Sequence, residues 1–481
     1  MDLLRCSAVR FPRTHLRRPF RTEIRPCFAA VRSSLSFPFP EHKTKYYREL
    51  EAAVDVVERA CRLCVDVKSL LFSNDDRILE KNDQTPVTIA DFGVQALVSL
   101  EMNRLFPSIP LVAEEDSSFL RSTTLVGAVV DVVANKATFR DEVTEDSVLK
   151  LIDRGGKDAY NFGPNPATYW VLDPIDGTRG FVKGVEALYV GKNSYQLVKD
   201  GRNDVIRAKP LFWNYRGKRG VVNLKLHLYQ TSLFVSVILF GFVPFFLPDN
   251  TLFQVALALV VEGQIVLGVM GCPNWDEDYF VNCVTGVQET GNNFSRSGMI
   301  MVSHVGCGTW KQRLSDRLTI ELSQSWTRCS VDGCQVLKEA RFCTPESQKW
   351  ESFPLSSSFN AKTDSEKIGN GDILLVPACC GSLCKYMMVA SGRASVFLLR
   401  ATTRKVMKKI SGYAPAWDHA VGIICVHEAG GKVTDWEGSS IDFAADQVAR
   451  RTIFPSGGFL VTNHCLHNEV LGLISSNSSI N

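Results

Sequence analysis

Two aspartates in one short stretch of the chain are spaced so that they can bind a divalent cation together. Residues 170–178 read Trp-Val-Leu-Asp-Pro-Ile-Asp-Gly-Thr, so Asp173 and Asp176 flank a Pro-Ile pair where an apolar run ends and a Gly-Thr turn begins. This spacing allows both carboxylates and the backbone carbonyl of Ile175 to converge. Carboxylate and carbonyl oxygens are the ligands that hard divalent cations prefer. The motif therefore predicts a site for a cation such as Mg²⁺.

Further acidic residues stand at the ends of other predicted elements. Asp418 lies at the apparent start of a helix that runs to Ala429 and stops at a Gly-Gly pair, as at a C-terminal cap. Glu114 directly follows a short apolar strand at 111–113. Enzymes built on sheets assemble their sites at such positions. Together with the Asp-Pro-Ile-Asp motif, these acids indicate a magnesium-dependent phosphatase.

The helices that position these acids can be predicted from apolar spacing. One helix is expected over about residues 46–72. A second, amphipathic helix is expected after Asp91, with the apolar residues Val94, Leu97, Val98, Met102 and Leu105. Asp91 therefore stands at the N-terminal end of that helix. A capping role alone and a capping role combined with catalysis are both open at this point.

Four sequence blocks resemble those of the inositol monophosphatase superfamily, and more narrowly those of the 3'(2'),5'-bisphosphate nucleotidases. They are 86–91 (Pro-Val-Thr-Ile-Ala-Asp), 114–117 (Glu-Glu-Asp-Ser), 173–178 (Asp-Pro-Ile-Asp-Gly-Thr) and 417–420 (Trp-Asp-His-Ala). The resemblance covers most of the chain with one large interruption. It implies a layered α/β and α+β sandwich (αβαβα) of the inositol monophosphatase and fructose-1,6-bisphosphatase type.

The resemblance also implies roles for individual residues. The implied metal ligands, which would hold two or three Mg²⁺ ions, are Glu114, Asp173, the carbonyl of Ile175, Asp176 and Asp418. Asp91 and Thr178 would position and deprotonate the attacking water. The implied substrate-binding residues are Gly177, Thr178, Ser303, Ser382, Lys385, Arg400 and Asp418. For Lys385, a phosphate contact and an ordinary solvated lysine are equally open.

The reaction implied is removal of the 3'-phosphate from adenosine 3',5'-bisphosphate, giving AMP and phosphate, with the 5'-phosphosulfate analogue as a further substrate. Because a phosphate monoester is itself dianionic, clustered carboxylates can act on it only through intervening cations. Inositol phosphates or a sugar bisphosphate are the alternative substrates, because residues 346–350 lack a histidine that many relatives carry and Arg400 comes one position late. An isoform that is inactive is the remaining alternative.

The basic residues of the chain are concentrated at its N-terminus. Residues 1–40 hold eight Arg, no Lys and two acidic residues, whereas the whole chain of 481 residues carries a net charge of only +3. The remainder is therefore slightly acidic, and no basic groove for nucleic acid is implied. An Arg-rich, acid-poor segment is typical of an organelle transit peptide, and its Arg density favours the mitochondrion over the chloroplast. A disordered basic arm is the alternative.

The length predicts more than one domain: an α+β portion over 41–300 and an α/β portion over 301–481. An anomalous segment, 191–254, interrupts the first portion and splits what reads as one strand, although insertions are tolerated mainly at exposed loop tips. The hypothesis is that this segment is a retained intron or a gene-model error. Its apolar run, 233–247, is shorter than the roughly 20 residues that span a bilayer, so no integral membrane association is expected.

The fifteen cysteines are expected to be mostly reduced. No secretory signal is visible, and the chain is far longer than the small scaffolds that disulfides stabilise. Cys61 and Cys64 fall on the predicted apolar face of the first helix, together with Leu50, Val54, Val57 and Val65. This placement favours packing in the core over zinc binding.

Overall fold

The computed structural model covers most of the chain after the arginine-rich N-terminus. The residues it describes are 37–39, 41, 44–71, 78–80, 86–160, 168–182, 195–199, 206–210, 252–275, 298–314, 325–363, 369, 371–376, 381–406, 409–444 and 451–478. The predicted transit peptide, 1–40, lies outside these residues except for 37–39.

Long helices and short ones alternate with strands along the described chain. The α-helices are α1 (Tyr47–Leu71), α2 (Ile89–Leu105), α3 (Ser118–Arg121), α4 (Val126–Ala134), α5 (Glu145–Gly155), α6 (Ser382–Ala390), α7 (Ala420–Glu428) and α8 (His467–Ser478). Short 3₁₀ turns cover Arg140–Glu142, Lys157–Tyr160, Leu337–Glu339, Trp350–Ser352 and Pro354–Ser357.

Two large sheets contain most of the strands. The first has the order β11-β10-β9-β8-β7-β4-β3 and consists of β3 (Leu111–Ala113), β4 (Thr168–Asp176), β7 (Gln254–Val261), β8 (Gln264–Cys272), β9 (Met299–His304), β10 (Gly308–Arg313) and β11 (Thr327–Arg328). The second has the order β13-β14-β12-β15-β20-β18 and consists of β12 (Arg341–Cys343), β13 (Asn360–Lys362), β14 (Asp372–Leu375), β15 (Val396–Arg400), β18 (Lys432–Asp435) and β20 (Gly458–Thr462).

Three smaller sheets complete the strand set of the described residues. They are the pair β1 (Ile78–Glu80) and β2 (Pro86–Thr88), the pair β5 (Tyr195–Lys199) and β6 (Ile206–Pro210), and the three strands β16 (Thr402–Val406), β17 (Lys409–Pro415) and β19 (Thr452–Ile453). The pair β5 and β6 lies within the anomalous segment and joins neither large sheet.

Helices cover both faces of the first sheet. A methyl group added at Gly271 of β8 would lie 2.3 Å from the sulfur of Cys61 in α1, whereas one added at Gly268 would lie 2.7 Å from Ile424 in α7. Because these glycines are three residues apart on one strand, they face opposite sides of the sheet. The continuous apolar sequence of β7, rather than an alternating one, follows from this double covering.

The second sheet lies beyond α6 and α7, and α8 covers part of its other side. Helices α6 and α7 pack against each other, and α6 also contacts β15 and β20. Their close approach depends on Gly422, where an added methyl group would lie 2.3 Å from the ring of Tyr386. The layers therefore run helix, sheet, helix, sheet, helix, which confirms the predicted αβαβα sandwich.

The two predicted N-terminal helices are present, and each differs from its prediction in how its residues are buried. Helix α1 buries Cys61 and Cys64 as expected, but Val65 is 46% exposed. Helix α2 is not amphipathic, because nearly all of its residues from Ile89 to Met102 are buried. It lies between α1, α4, α5 and β4, so neighbours cover it on every side. The described cysteines are free, as expected.

Strands β7 and β8 form a hairpin that begins where the anomalous segment ends. Its two-residue turn, Glu262 and Gly263, has positive φ at both positions (52° and 78°), which is the geometry of a type I′ turn. Before the hairpin, Leu252 and Phe253 are buried, and the Phe253 ring meets that of Phe181 edge-on at 4.9 Å. The last residues of the proposed insert 191–254 are therefore part of the core.

The expected boundary between residues 300 and 301 falls inside β9. The first sheet continues through β11 to Arg328, so the change from one sheet to the other comes between Arg328 and Arg341. Among the described helices, none is long and apolar enough to cross a membrane. The apolar run 233–247 lies outside the described residues.

His467 is expected to make the fold sensitive to acid. The imidazole is buried, its Nε2 lies 3.1 Å from Thr434 Oγ1 and its Nδ1 lies 2.8 Å from Thr462 Oγ1, and burial lowers its pKa from 6.5 to about 4. A histidine with a depressed pKa contributes stability that is present above pH 6.5 and is lost as the pH falls towards 4, by roughly 3 kcal/mol in total. We expect His467→Gln to reduce this loss.

Urea unfolding at pH 7, 5.5 and 4.5 measures the effect as a difference between the two proteins. The variant should be less stable at pH 7 by about 1 kcal/mol, because it loses a buried hydrogen bond, and its free energy of unfolding should fall less on acidification. Equal pH slopes in wild type and variant would show that His467 does not titrate with unfolding.

Candidate active site

The Asp-Pro-Ile-Asp motif forms the end of β4, which lies between β7 and the edge strand β3 of the first sheet. The strand extends through Asp176 rather than ending before the acids, and its pairing with β7 is irregular between Asp173, opposite Ala256, and Asp176, opposite Gln254. A bulge of this kind re-aims side chains next to it. Asp173 and Asp176 are both buried. The strand therefore carries two carboxylates into the interior at the point where its regular pairing stops.

The Asp176 carboxylate lies against the N-terminus of α6. Its Oδ1 accepts a hydrogen bond from the backbone N–H of Ser382 (3.0 Å), and its Oδ2 accepts one from the N–H of Leu383 (2.8 Å). Burial raises the pKa of Asp176 from 3.8 to about 6, and these two N–H groups and the charge of Lys385 oppose the increase. The first turn of α6 thus holds one of the predicted metal ligands, as helix N-termini hold anions.

The side chains of Asp91 and Thr178 lie next to each other. Asp91 Oδ2 accepts hydrogen bonds from both the N–H and the hydroxyl of Thr88 (each 2.7 Å), which completes a capping box at the start of α2. Asp91 Oδ1 lies 3.3 Å from the hydroxyl of Thr178, which is also 3.0 Å from the carbonyl oxygen of Ile175. Asp91 therefore caps its helix with one oxygen and faces the candidate site with the other.

Gly177 starts a helical turn directly after the motif. Its φ is +86°, and its carbonyl accepts hydrogen bonds from the N–H groups of Gly180 (2.8 Å) and Phe181 (3.1 Å). Residues 178–182 are helical as far as the structure describes them. The turn places Thr178 beside Asp91.

Glu114 and Asp418 approach from two other elements. Glu114 directly follows β3. The backbone of the next residue, Glu115, is held by the buried side-chain amide of Gln95, whose oxygen accepts from the N–H of Glu115 (2.9 Å) and whose nitrogen donates to its carbonyl (2.5 Å). Asp418 lies two residues before α7. Strand β3 pairs with β4, and α7 packs on β7 and β8 of the same sheet, so the fold brings together acids that are more than 300 residues apart.

The carboxylates repel one another electrostatically. Burial raises the pKa of Asp173 well above its ordinary value, and the charges of Asp176, Glu114, Asp418 and Asp91 raise it further. Asp418 is partly exposed as a residue, yet desolvation of its carboxylate raises its pKa, with Asp176 and Glu114 adding to the increase. Mutually raised pKa values are the pattern expected where a cation is needed to balance charge.

Asp173 provides the clearest sign that a cation fits the site. Its Oδ1 is buried and has no hydrogen-bond partner among the described residues. A buried carboxylate oxygen without a partner costs free energy, which a bound cation would recover. Within the described part of the chain, no three Asp, Glu, His or Cys side chains are close enough to hold a metal ion by themselves. The carboxylates therefore share one region without converging on one point.

Two of the predicted substrate-binding residues lie beside the acids. Ser382 starts α6 and contacts Asp176 through its backbone. Lys385, one turn later, is buried, and its Nζ donates to the carbonyl of Gly381 (2.7 Å). An ordinary solvated lysine is therefore excluded for Lys385.

Two others are placed away from the acids. Ser303 is fully buried, and its hydroxyl contacts Thr309 Oγ1 (2.9 Å) and Cys425 Sγ (3.1 Å). The glycine turn after it is held by Glu428 at the C-terminal end of α7, roughly 14 Å along the helix from its start beside Asp418. The prediction that Ser303 binds substrate is not supported by this placement.

Arg400 is exposed at the end of β15. Its guanidinium donates to the carbonyl of Ser352 and lies over the ring of Trp436, 5.5 Å from the centroid. No contact between Arg400 and the acidic residues is found in the described part of the chain. Its predicted role in substrate binding is therefore not supported either.

Sequence reasoning missed three residues next to the site. The hydroxyl of Tyr386 and Nδ1 of His419 are hydrogen-bonded (3.0 Å), and burial lowers the pKa of His419 to about 3, so the imidazole is neutral. Gln254 is fully buried opposite Asp176, and its Oε1 has no partner among the described residues. Only the position of His419, one residue after Asp418, could have indicated any of them.

Gly381→Ala is expected to reduce turnover strongly. Gly381 has φ of +72°, and an added methyl group would lie 2.1 Å from the carboxylate of Asp176. We expect at least a 100-fold loss of kcat, because an error of about 1 Å in a catalytic group costs that much. Gly371→Ala is the matched control: its φ is +102°, but the added methyl group meets nothing within 4 Å. Equal activity of the two variants would contradict this role of Gly381.

Comparison with known proteins identifies the family. The family model described as the inositol monophosphatase family matches residues 47–192 and 242–478. The chain belongs to the inositol monophosphatase family. Members of this family are metal-dependent phosphatases, and the acid cluster is the part of this chain that fits a metal. The match leaves out 193–241, which lies within the anomalous segment.

Individual relatives are similar over nearly the whole chain. An Arabidopsis thaliana protein provisionally named a mitochondrial 3'(2'),5'-bisphosphate nucleotidase is 51% identical over 475 residues, covering 98% of this chain and 97% of its own. The 3',5'-bisphosphate nucleotidase 2 of the same species is 29% identical over 439 residues, covering 89% and 95%. A 3'(2'),5'-bisphosphate nucleotidase of Oryza sativa is 28% identical over 438 residues, covering 89% and 93%.

Proposed function

We propose that this chain is a Mg²⁺-dependent phosphomonoesterase that hydrolyses the 3'-phosphate of adenosine 3',5'-bisphosphate to AMP and phosphate. The observation that carries the proposal is the group of mutually repelling acids around Asp173, whose buried Oδ1 lacks a partner among the described residues. A dianionic phosphate reaches such a group only when cations lie between them. The names of the similar relatives supply the nucleotide bisphosphate as the substrate.

The residues that would hold two or three Mg²⁺ ions are Glu114, Asp173, the Ile175 carbonyl, Asp176 and Asp418. Bound Mg²⁺ supplies charge neutralisation and lowers the pKa of a coordinated water. Glu114 directly follows β3, and Asp418 lies two residues before α7. Small shifts of these two residues would complete the set of metal ligands around Asp173.

Thr178 and Asp91 would handle the proton of the attacking water. The Thr178 hydroxyl has one proton and two acceptors in range, Ile175 O at 3.0 Å and Asp91 Oδ1 at 3.3 Å. While it donates to one of them, its oxygen can accept a hydrogen bond from a water. A water held in this way would pass its proton towards Asp91 through one hydroxyl group. The capping bonds from Thr88 keep Asp91 in place during the transfer.

The positive end of α6 and Lys385 would face the phosphate groups of the substrate. Lys385 has an ammonium group with three donors, of which one is bonded to Gly381 O. The other substrate contacts proposed are Gly177 and Ser382, which lie in the same region.

A panel of substrates tests the proposal with the purified full-length chain. Phosphate release is measured for adenosine 3',5'-bisphosphate, its 5'-phosphosulfate analogue, inositol 1-phosphate and fructose 1,6-bisphosphate, each with Mg²⁺ and with EDTA. We expect kcat/KM to be highest for adenosine 3',5'-bisphosphate and to be lost in EDTA. A higher kcat/KM for inositol 1-phosphate would assign the chain to the other substrate class of its family.

We also propose that the protein is located in mitochondria. The arginine-rich residues 1–40 and the mitochondrial name of the 51% identical relative support this location. Import of the radiolabelled chain into isolated mitochondria and chloroplasts tests it, and protease-protected, shortened product is expected only in mitochondria. Processing in chloroplasts alone would contradict the proposal.

A further inference from the structure

Arg451 contacts two of the segments that carry the candidate metal ligands. Its Nη1 donates to the carbonyls of Gly155 (3.1 Å) and Gly156 (2.7 Å), and its Nη2 donates to the carbonyl of Glu114 (3.4 Å). Its guanidinium carbon also lies 4.9 Å from the centroid of the Trp417 ring, within the range of a cation–π contact. One side chain thus joins the segment after β3 to the segment before α7.

The backbone of Arg451 is hydrogen-bonded to the segment just before Asp418. Its carbonyl accepts a hydrogen bond from the N–H of Ala416 (2.8 Å), and the next residue, Thr452, pairs with Pro415 at the end of β17. The backbone of Arg451 is therefore attached to the segment that leads to Asp418, and its side chain extends from there to the segment that carries Glu114.

The Glu114 side of the contact is itself tightly packed. Gly156 is the C-cap of α5, and a methyl group added there would lie 2.2 Å from the carbonyl oxygen of Glu115. The end of α5 and the segment after β3 therefore form one unit. A cation at the C-terminal end of a helix is favourable, because the last carbonyls of the helix carry partial negative charge. Arg451 binds this unit through three carbonyl groups with the planar fork that lysine lacks.

We propose that Arg451 is a positioning residue that fixes the separation of Glu114 and Asp418 and so sets the affinity of the site for Mg²⁺. Glu114 is held through its own carbonyl, and Asp418 is held through the adjacent Trp417 ring. The inference rests on the proposed metal site, because it concerns how two of its ligands are held.

Calorimetric titration of the purified full-length chain with MgCl₂ tests the inference. We expect Arg451→Met to weaken Mg²⁺ binding by about 10- to 100-fold, the usual effect of removing a group that orients a metal ligand. Arg451→Lys should lose less, because an ammonium group can reach one carbonyl but cannot reach three and stack on a ring. At saturating Mg²⁺, KM for adenosine 3',5'-bisphosphate should stay within about 2-fold of wild type, consistent with a purely orienting role.

Arg104→Met is the matched control. The Arg104 guanidinium also stacks on an aromatic ring, that of Phe139 at 3.2 Å, but it lies at the far end of α2, about 20 Å along the helix from Asp91. This variant should bind Mg²⁺ as wild type does. Mg²⁺ affinities of Arg451→Met and Arg104→Met that agree within 2-fold would overturn the inference.

The remaining outcomes separate this inference from the proposed function. If wild type and Asp173→Asn bind Mg²⁺ equally, the metal site itself is wrong, whatever Arg451 does. If Arg451→Met does not fold, as judged by circular dichroism, Arg451→Lys decides: wild-type affinity in that variant overturns the inference, and a reduced affinity supports it.

Discussion

Asp173→Asn is expected to abolish turnover and, at the same time, to raise the melting temperature of the metal-free protein at pH 7. Turnover should fall by more than about 100-fold, because even residues that only orient a metal ligand cost 10- to 100-fold in metal affinity. Stability should rise because the variant removes a buried charge that its neighbours repel and whose Oδ1 has no hydrogen-bond partner among the described residues. An increase of at least about 1 °C is expected, which corresponds to roughly 1 kcal/mol in a chain of this length.

The pH dependence of stability gives the sign of the effect. In the folded protein, the pKa of Asp173 is raised well above its ordinary value of 3.8. The pKa of Asp176 is raised from 3.8 to about 6. A carboxyl group of this kind contributes stability that is present below pH 3.8 and is lost as the pH rises through the folded pKa. The metal-free wild type should therefore lose stability as the pH rises from 3.8 through the raised pKa values of the folded protein, about 6 for Asp176, and should regain it when Mg²⁺ is added, whereas the variant should respond much less to both.

Asp176→Asn is the matched comparison. It should also lose turnover, but its gain in stability should be smaller or absent, because the Asp176 carboxylate accepts two N–H groups from α6 and an amide can accept with only one oxygen. Thermal melts in EDTA and in MgCl₂ at pH 5, 6 and 7 distinguish the two variants. A lower melting temperature of metal-free Asp173→Asn at pH 7 would contradict the assignment of repulsion to this group.

Deleting residues 191–254 is expected to destroy the fold, whereas deleting 193–241 is expected to leave turnover at least as high as in the full chain. The longer deletion removes Leu252 and Phe253, which are buried, and Gln254, which pairs with Asp176. Loss of one buried phenylalanine alone costs about 3–5 kcal/mol. The shorter deletion removes only the residues between the two parts of the family match.

Chain yield, circular dichroism and kcat/KM for adenosine 3',5'-bisphosphate are measured for both deletions and for the full chain. Loss of activity on deleting 193–241 would show that this segment contributes to the enzyme. The related hypothesis, that the segment comes from a retained intron, predicts that the abundant mature transcript lacks it. A transcript that encodes every residue of 191–254 would contradict that hypothesis.

Much of the site could be predicted from sequence because its residues are local to strong signals. Asp173, Ile175 and Asp176 stand in one short motif, and Asp91 and Asp418 lie at or near helix starts that caps and apolar spacing reveal. Such signals depend on neighbours within a few residues along the chain. The five layers followed from the family resemblance rather than from these signals.

The parts that could not be predicted depend on contacts between distant residues. Ser303 and Arg400 were expected near the substrate, but their surroundings are set by α7 and by Trp436. Helix α2 has an apolar stripe in its sequence, yet it is buried on every side because three other helices and a strand enclose it. The contacts of Arg451 join segments more than 290 residues apart, and no spacing rule reaches that far.

Anomalous diffraction from a crystal of the full chain grown with Mn²⁺ would show where a cation binds without relying on turnover. We expect an anomalous peak within about 2.0–2.6 Å of Asp173 Oδ1, with Asp176 and the Ile175 carbonyl beside it and Glu114 and Asp418 drawn towards it. A fully ordered Asp173 without a peak at its carboxylate, at a Mn²⁺ concentration that supports turnover, would contradict it.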